Sequence, residues 1–138
     1  MIWLLYAIGS ALFAALTAIT AKIGIANVDS NLGTAIRTFV VLIIATGIVF
    51  SIKSFQQIPN LSNKTWIFLI VSGFMTGLSW LCYFKALQLG DTTKVVTIDK
   101  FSLVFVLFLS SLILKEGIIL KMFIACILIT LGTILMIV

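Results

Sequence analysis

Histidine is absent from this chain of 138 residues, and proline occurs once, at Pro59. Cysteine occurs twice, and only four residues are acidic: Asp29, Asp91, Asp99 and Glu116. Each scarcity removes a class of function. Without histidine the usual neutral-pH general base is missing, and zinc and haem sites lose their commonest ligand. Cys82 and Cys126 lie in apolar runs with no CxxC spacing, where a thiol packs as a small hydrophobe. The four carboxylates are scattered over loops and different depths, so no pair stands ready for acid–base work. No nucleophile elbow and no GxxxxGK[ST] segment is present, which argues against hydrolysis, enzymatic or ATP-coupled. The chain reads as a non-enzyme with no cofactor and no metal site.

Charged residues make up only 9% of the chain, while 62% are hydrophobic and the mean hydropathy is +1.33. A bilayer core about 30 Å thick needs roughly 20 helical residues. Met1 to Ala21 supplies such a run without a charge, and Thr65 to Phe84 supplies another. Five such stretches fill the chain. The expectation is an all-α integral membrane protein, a single domain over 1–138, with helices at about 2–21, 32–52, 65–86, 94–114 and 118–138. Its place is the cell (inner or plasma) membrane, crossed several times. The net charge of +5 comes from basic residues set between the apolar runs. They form no patch suited to nucleic acid and serve as membrane-flanking anchors. Membrane lipid is therefore the first partner.

Small residues point to helix packing. Ser10, Ala14 and Ala18 share one face of the first span, and Gly73-Phe-Met-Thr-Gly77 forms a GxxxG in the third. Such positions let backbones approach in lipid, where no hydrophobic drive favours association. Lys115-Glu116-Gly117 is a very short connection, which predicts an antiparallel hairpin of the last two spans.

Charges inside the spans are the informative residues. Thr38 to Ile52 is too short to cross comfortably, so the second helix must draw in Arg37. Phe101 to Leu114 is short in the same way, which draws in Asp99 and Lys100. An up-and-down path gathers Lys22, Arg37, Lys85, Lys94, Asp99 and Lys100 in one half of the bilayer. A one-sided polar vestibule follows. Lysines at helix ends can snorkel to water, and Arg37 divides between anchoring and function. Asp99 cannot snorkel far on its short stem and needs a base, a proton or water. Asp99 and Lys100 point about 100° apart on a helix, so Arg37 or Lys22 is the expected partner. Trp80, Tyr83 and Phe84 near the same end read either as an interfacial aromatic belt or as a pocket wall.

Three segments carry a family resemblance. Ala21-Lys22-Ile-Gly24 closes the first helix and is followed by Thr34-Ala-Ile-Arg37-Thr. Tyr83-Phe-Lys-Ala86-Leu87-Gln-Leu-Gly90 closes the third. Val95-Val-Thr-Ile-Asp99-Lys-Phe-Ser102-Leu runs through the fourth to Leu114-Lys115-Glu116. In this order they resemble one EamA-type repeat of the drug/metabolite transporter superfamily. The resemblance implies a helical bundle that moves small metabolites. Typical members resemble two five-helix repeats fused in opposite orientation, whereas this chain holds one. A homodimer would supply the other half.

The functional expectation is a secondary transporter of small organic metabolites or drug-like solutes, acting as a homodimer by alternating access. Its substrate-binding residues would be Arg37, Asp99, Lys100, Lys22, Lys85, Trp80 and Tyr83. Helix packing falls to Gly73, Gly77, Ala14 and Ala18. The alternative is a non-transporting small subunit of a larger membrane complex. Basic residues divide almost evenly between the faces, with Lys53, Lys64, Lys115 and Lys121 against Lys22, Arg37, Lys85, Lys94 and Lys100. Setting the embedded charges aside favours a cytoplasmic N-terminus, and the near balance leaves an antiparallel homodimer open. Five spans place the two termini on opposite sides. Membrane-impermeant thiol labelling of single-cysteine variants at Ile2 and Ile137 should therefore mark opposite faces in a single-orientation population. Labelling of both from one side would refute the helix count.

Overall fold

The computed structural model describes residues 2–114 and 120–137. It is helical, with no strand among the described residues. Lipid imposes this, because the hydrocarbon gives a backbone N–H or C=O no partner outside its own helix. Helix α1 spans Ile2–Gly24, α2 Ser30–Ser51 and α3 Asn63–Leu89. The fourth span, Thr92–Ile113, comprises α4 (Thr92–Asp99) and α5 (Ser102–Leu109), and a π-helical segment follows at Ser110–Leu114. Helix α6 is Leu120–Ile137. These are five helical stretches long and apolar enough to cross a membrane. The chain is a multi-pass membrane protein.

The helix ends run past the expected limits, for identifiable reasons. Asp29 caps α2, its Oδ1 accepting from the N–H of Asn31 (2.9 Å) and of Leu32 (3.3 Å). That cap starts the helix at Ser30 rather than Leu32. Ser62 Oγ accepts from Thr65 N–H at 3.1 Å, and α3 starts at Asn63 rather than Thr65. Boundaries drawn at the last apolar residue miss such polar first turns. The polar connector also has structure, a 3-10 turn at Ser54–Asn60 entered through Lys53 in the left-handed region at φ 57°.

A larger difference lies in the fourth span, expected as one helix over 94–114. Its α-helical ladder is interrupted after Asp99. Lys100 N–H donates to Thr97 O at 3.1 Å and Phe101 N–H to Ile98 O at 2.9 Å, bonds one residue tighter than α-helical ones. Neither proline nor glycine stands at this step, so no residue pattern announced it. The Lys115-Glu116-Gly117 connection and the start of the last helix at 118 lie outside the described residues.

Six hydroxyls within the spans are satisfied locally. Thr20, Thr38, Ser51, Thr76, Thr97 and Thr133 each donate to the carbonyl four residues back, at 2.7–2.9 Å. A hydroxyl in hydrocarbon without such a bond would be costly.

Two compact units result, Met1–Gln88 and Leu89–Val138. In the first, the buried residues Ala18, Ile25, Ser30, Thr34, Phe84 and Leu87 come from the end of α1, the start of α2 and the end of α3. In the second, α6 packs on α4 and α5, and Thr133 is the buried residue among those described. Of the expected packing positions only Ala18 is buried. Ala14 is exposed, and a Cβ on Gly73 or Gly77 would meet nothing within 4 Å. Neither glycine serves as a helix crossing within the described chain.

One close approach does require glycine. A Cβ on Gly33 would stand 2.8 Å from Cγ2 of Ile25, itself only 3% exposed. Gly33→Ala should therefore destabilise the fold by about 1–2 kcal/mol through overpacking. The double variant with Ile25→Ala should cost less than the two single changes combined. Melting of the detergent-solubilised proteins checks both. Strict additivity would show that the contact does not matter.

Candidate functional site

The polar end of the first unit is assembled by three helix ends. Along α2, Ser30, Thr34, Arg37 and Thr38 recur at helical spacing and so share one face. Thr34 Oγ1 donates to Ser30 O at 2.8 Å. Ser30 Oγ, 1% exposed, has no hydrogen-bond partner among the described residues. Arg37 lies about 10 Å along α2 from its first residue, well inside the span. Its guanidinium carbon stands 4.3 Å from the centroid of the Trp80 ring and 5.2 Å from that of Phe84. Trp80 and Phe84 are four residues apart on α3 and present neighbouring rings. Within its own unit, Arg37 is thus a cation held by aromatic faces.

The second layer consists of staples between α3 and the α1–α2 connection. Gln88 Nε2 donates to Val28 O at 2.8 Å and to Ile25 O at 3.4 Å. Its Oε1 accepts from Lys85 Nζ at 3.2 Å. Lys22, in the last turn of α1, donates through Nζ to Leu87 O. These bonds occupy carbonyls that a helix end leaves open, and they fix the ends of α1 and α3 beside the start of α2.

The second unit carries the other expected charges. Lys94 Nζ donates to Ile137 O at 2.8 Å, a cation on the last carbonyls of α6. Asp99 closes α4 at the interruption of the span. Contrary to the expectation that adjacent residues cannot pair, Lys100 Nζ lies 3.9 Å from Asp99 Oδ2. The four-carbon lysine stem folds back across the tightened turn, which a straight-helix projection ignores. At 54% and 46% exposure the pair is loose, and an exposed ion pair of this kind contributes little. Between α5 and α6 lies an apolar hollow of about 180 Å³, lined by Val104, Leu107, Phe108, Phe123, Cys126 and Thr130 among others.

Of the expected site residues, the structure brings together Arg37 and Trp80, and sets Lys22 and Lys85 at the same helix ends. Tyr83 lies one position off that face, its ring 6.2 Å from Phe84 in an edge-on arrangement. Arg37 and Asp99 belong to different units. Arg37 is met by rings in its own unit and Asp99 by Lys100. Phe84, read from the sequence with Trp80 and Tyr83 as belt or pocket wall but not set among the substrate-binding residues, joins Trp80 at the arginine. Sequence reasoning passed over Gln88, which carried no signal, since its partners are backbone carbonyls some sixty positions away.

Residues 1–138 match the EamA-like transporter family. An uncharacterized transporter in the cobO 3' region of Sinorhizobium sp. is 45% identical over 114 residues, which cover 83% of this chain and 81% of the relative. The two chains are therefore of nearly equal length. No solved structure matches.

Replacing Gln88 by Leu should remove both donated bonds and leave Val28 O unmet, while Ile25 O keeps the Val28 N–H at 3.4 Å, destabilising the protein by roughly 1–3 kcal/mol. Gln88→Glu should do comparable damage, because a carboxylate accepts and cannot donate to a carbonyl. Melting in detergent reads both, and a Glu variant as stable as wild type would remove the staple from the account.

Proposed function

The chain belongs to the EamA-like transporter family, and on that footing we propose that it is a secondary transporter of small organic metabolites or drug-like solutes, working as a homodimer by alternating access. The observation that carries the proposal is the Arg37 guanidinium, set within a span and held by Trp80 and Phe84. A cation at that depth is costly unless something compensates it, so such residues mark solute and ion pathways. Aromatic walls with a few convergent polar groups are what a small-molecule site needs.

The homodimer part of the reading is supported by residues 1–138 matching the family as one repeat. Transporters built from inverted repeats bind solute between their halves, near the midplane. A chain with one repeat finds its second half in another copy, and the near balance of basic residues on its two faces suits opposite insertion of the two copies. Gly73 and Gly77, open within the described chain, are available to a partner helix. An ion or proton gradient supplies the drive.

In this reading Asp99 is the carboxylate whose occupancy by solute or proton biases the two access states. It stands where the fourth span leaves the α-helical ladder, a place where a small change in pairing can alter helix direction. Lys94, engaged with Ile137 O, is structural. Flux into proteoliposomes across a broad metabolite panel tests the proposal. Asp99→Asn should express normally and lose or uncouple flux, while Lys94→Gln should transport at close to the wild-type rate. Wild-type flux in Asp99→Asn with unchanged pH dependence would reduce Asp99 to a structural residue. Absence of flux for every solute, together with tight copurification with another membrane protein, would identify a non-transporting subunit instead.

A further inference from the structure

We infer that the solute bound at Arg37 is an organic carboxylate, its oxygens gripped by the guanidinium edge and its apolar part lying along the rings of α3; the inference rests on the transporter reading of this site. Three observations lead there. Trp80 and Phe84 meet the guanidinium carbon at 4.3 Å and 5.2 Å from their ring centroids. Stacking of this kind engages the faces of the cation and leaves its in-plane N–H donors free. Among the described residues of this unit those donors make no hydrogen bond and no ion pair with a carboxylate, and Tyr83 is the group that bears on the cation electrostatically. An Arg fork with free edges matches a carboxylate in two parallel bonds, the geometry that planar oxyanions favour.

The charge around the site has one sign. Asp29 is the sole acidic residue before Asp91, and its Oδ1 is engaged by the N–H groups of Asn31 and Leu32. Lys22 and Lys85 stand at the helix ends that frame the arginine. A cationic solute entering beside Arg37 would meet three positive groups with no carboxylate from this unit to receive it. The embedded carboxylate of the chain, Asp99, already has an ammonium at 3.9 Å. A neutral solute would leave the guanidinium without an anion inside the span. An anion relieves both problems.

The oxyanion could come from a solute or from a lipid headgroup phosphate, and the test separates them. Trp3→Phe and Trp66→Phe together leave Trp80 as the sole tryptophan, so its fluorescence reports ligands at the Arg37 site. The full chain in detergent is titrated with matched sets: hexanoate, hexanamide and hexylamine; phenylacetate, phenylacetamide and phenethylamine. Saturable quenching should favour each carboxylate over its amide by at least roughly tenfold, and the amines should not compete. Arg37→Gln should erase that preference, and Arg37→Lys, which keeps the charge without the fork, should fall between. Equal binding of acid and amide, or a preference for amine, overturns the inference. So does a carboxylate preference that survives Arg37→Gln. Quenching that appears only in phosphatidylglycerol nanodiscs, and that hexanoate does not displace, assigns the arginine to lipid and also overturns it. If Arg37→Gln fails to fold, the wild-type ranking of acid, amide and amine still decides. Parallel flux measurements keep the two readings apart. Arginine-dependent carboxylate binding without flux removes transport alone, whereas flux of neutral solutes with no carboxylate preference removes this inference alone.

Discussion

Hydrocarbon neither hydrogen-bonds a backbone group nor screens a charge, and nearly every feature of this protein follows from those two refusals. The first makes every described span a helix and turns many of the span hydroxyls, Thr34, Thr38 and Thr133 among them, back onto the carbonyl four residues before. The second drives charged side chains toward helix ends, where carbonyls are open and water is near. Lys22 reaches Leu87 O and Lys94 reaches Ile137 O. Both cations end on carbonyls in the last turn of another helix, where the helix dipole also favours them.

Arg37 is the exception, because it sits too far along α2 to be an end residue. The chain accommodates it with aromatic faces rather than with a carboxylate. Cation–π contact on this scale contributes on the order of 1–2 kcal/mol when desolvated. That stabilises the position of the guanidinium without consuming its hydrogen-bond donors. Structure thus holds the cation in place and keeps its binding chemistry available. The staples around it serve the same end. Gln88 ties the connection between α1 and α2 to the end of α3 and Lys22 ties α1 to it, while Lys85 holds Gln88 Oε1 within α3, so the arginine and its rings ride on helices fixed to one another.

Packing elsewhere is sparse. No span has more than 6% of its most apolar 18-residue window buried, and the small-residue positions of α1 and α3, apart from Ala18, stay open. In water such surface would be untenable. In lipid it is neutral, so exposed leucines and phenylalanines argue for nothing by themselves, whereas open glycines leave room for a second helix at short range.

The sequence by itself determined the helical class and the number of spans, because these depend on local apolar length and on the cost of each charge in hydrocarbon. It also marked Arg37 as a residue the span had to absorb. What it could not determine was which groups meet. The helix projection separated Asp99 from Lys100, yet a tightened turn and a long stem brought them to 3.9 Å. The aromatic cluster offered Trp80, Tyr83 and Phe84 as equals, and only the rotation of α3 against α2 chose Trp80 and Phe84 for the arginine. Gln88 looked like an ordinary helix-end amide until α1 and α3 were placed side by side. Lengths and charges are properties of one segment, while contacts depend on the relative rotation and depth of two, and no single segment carries that information.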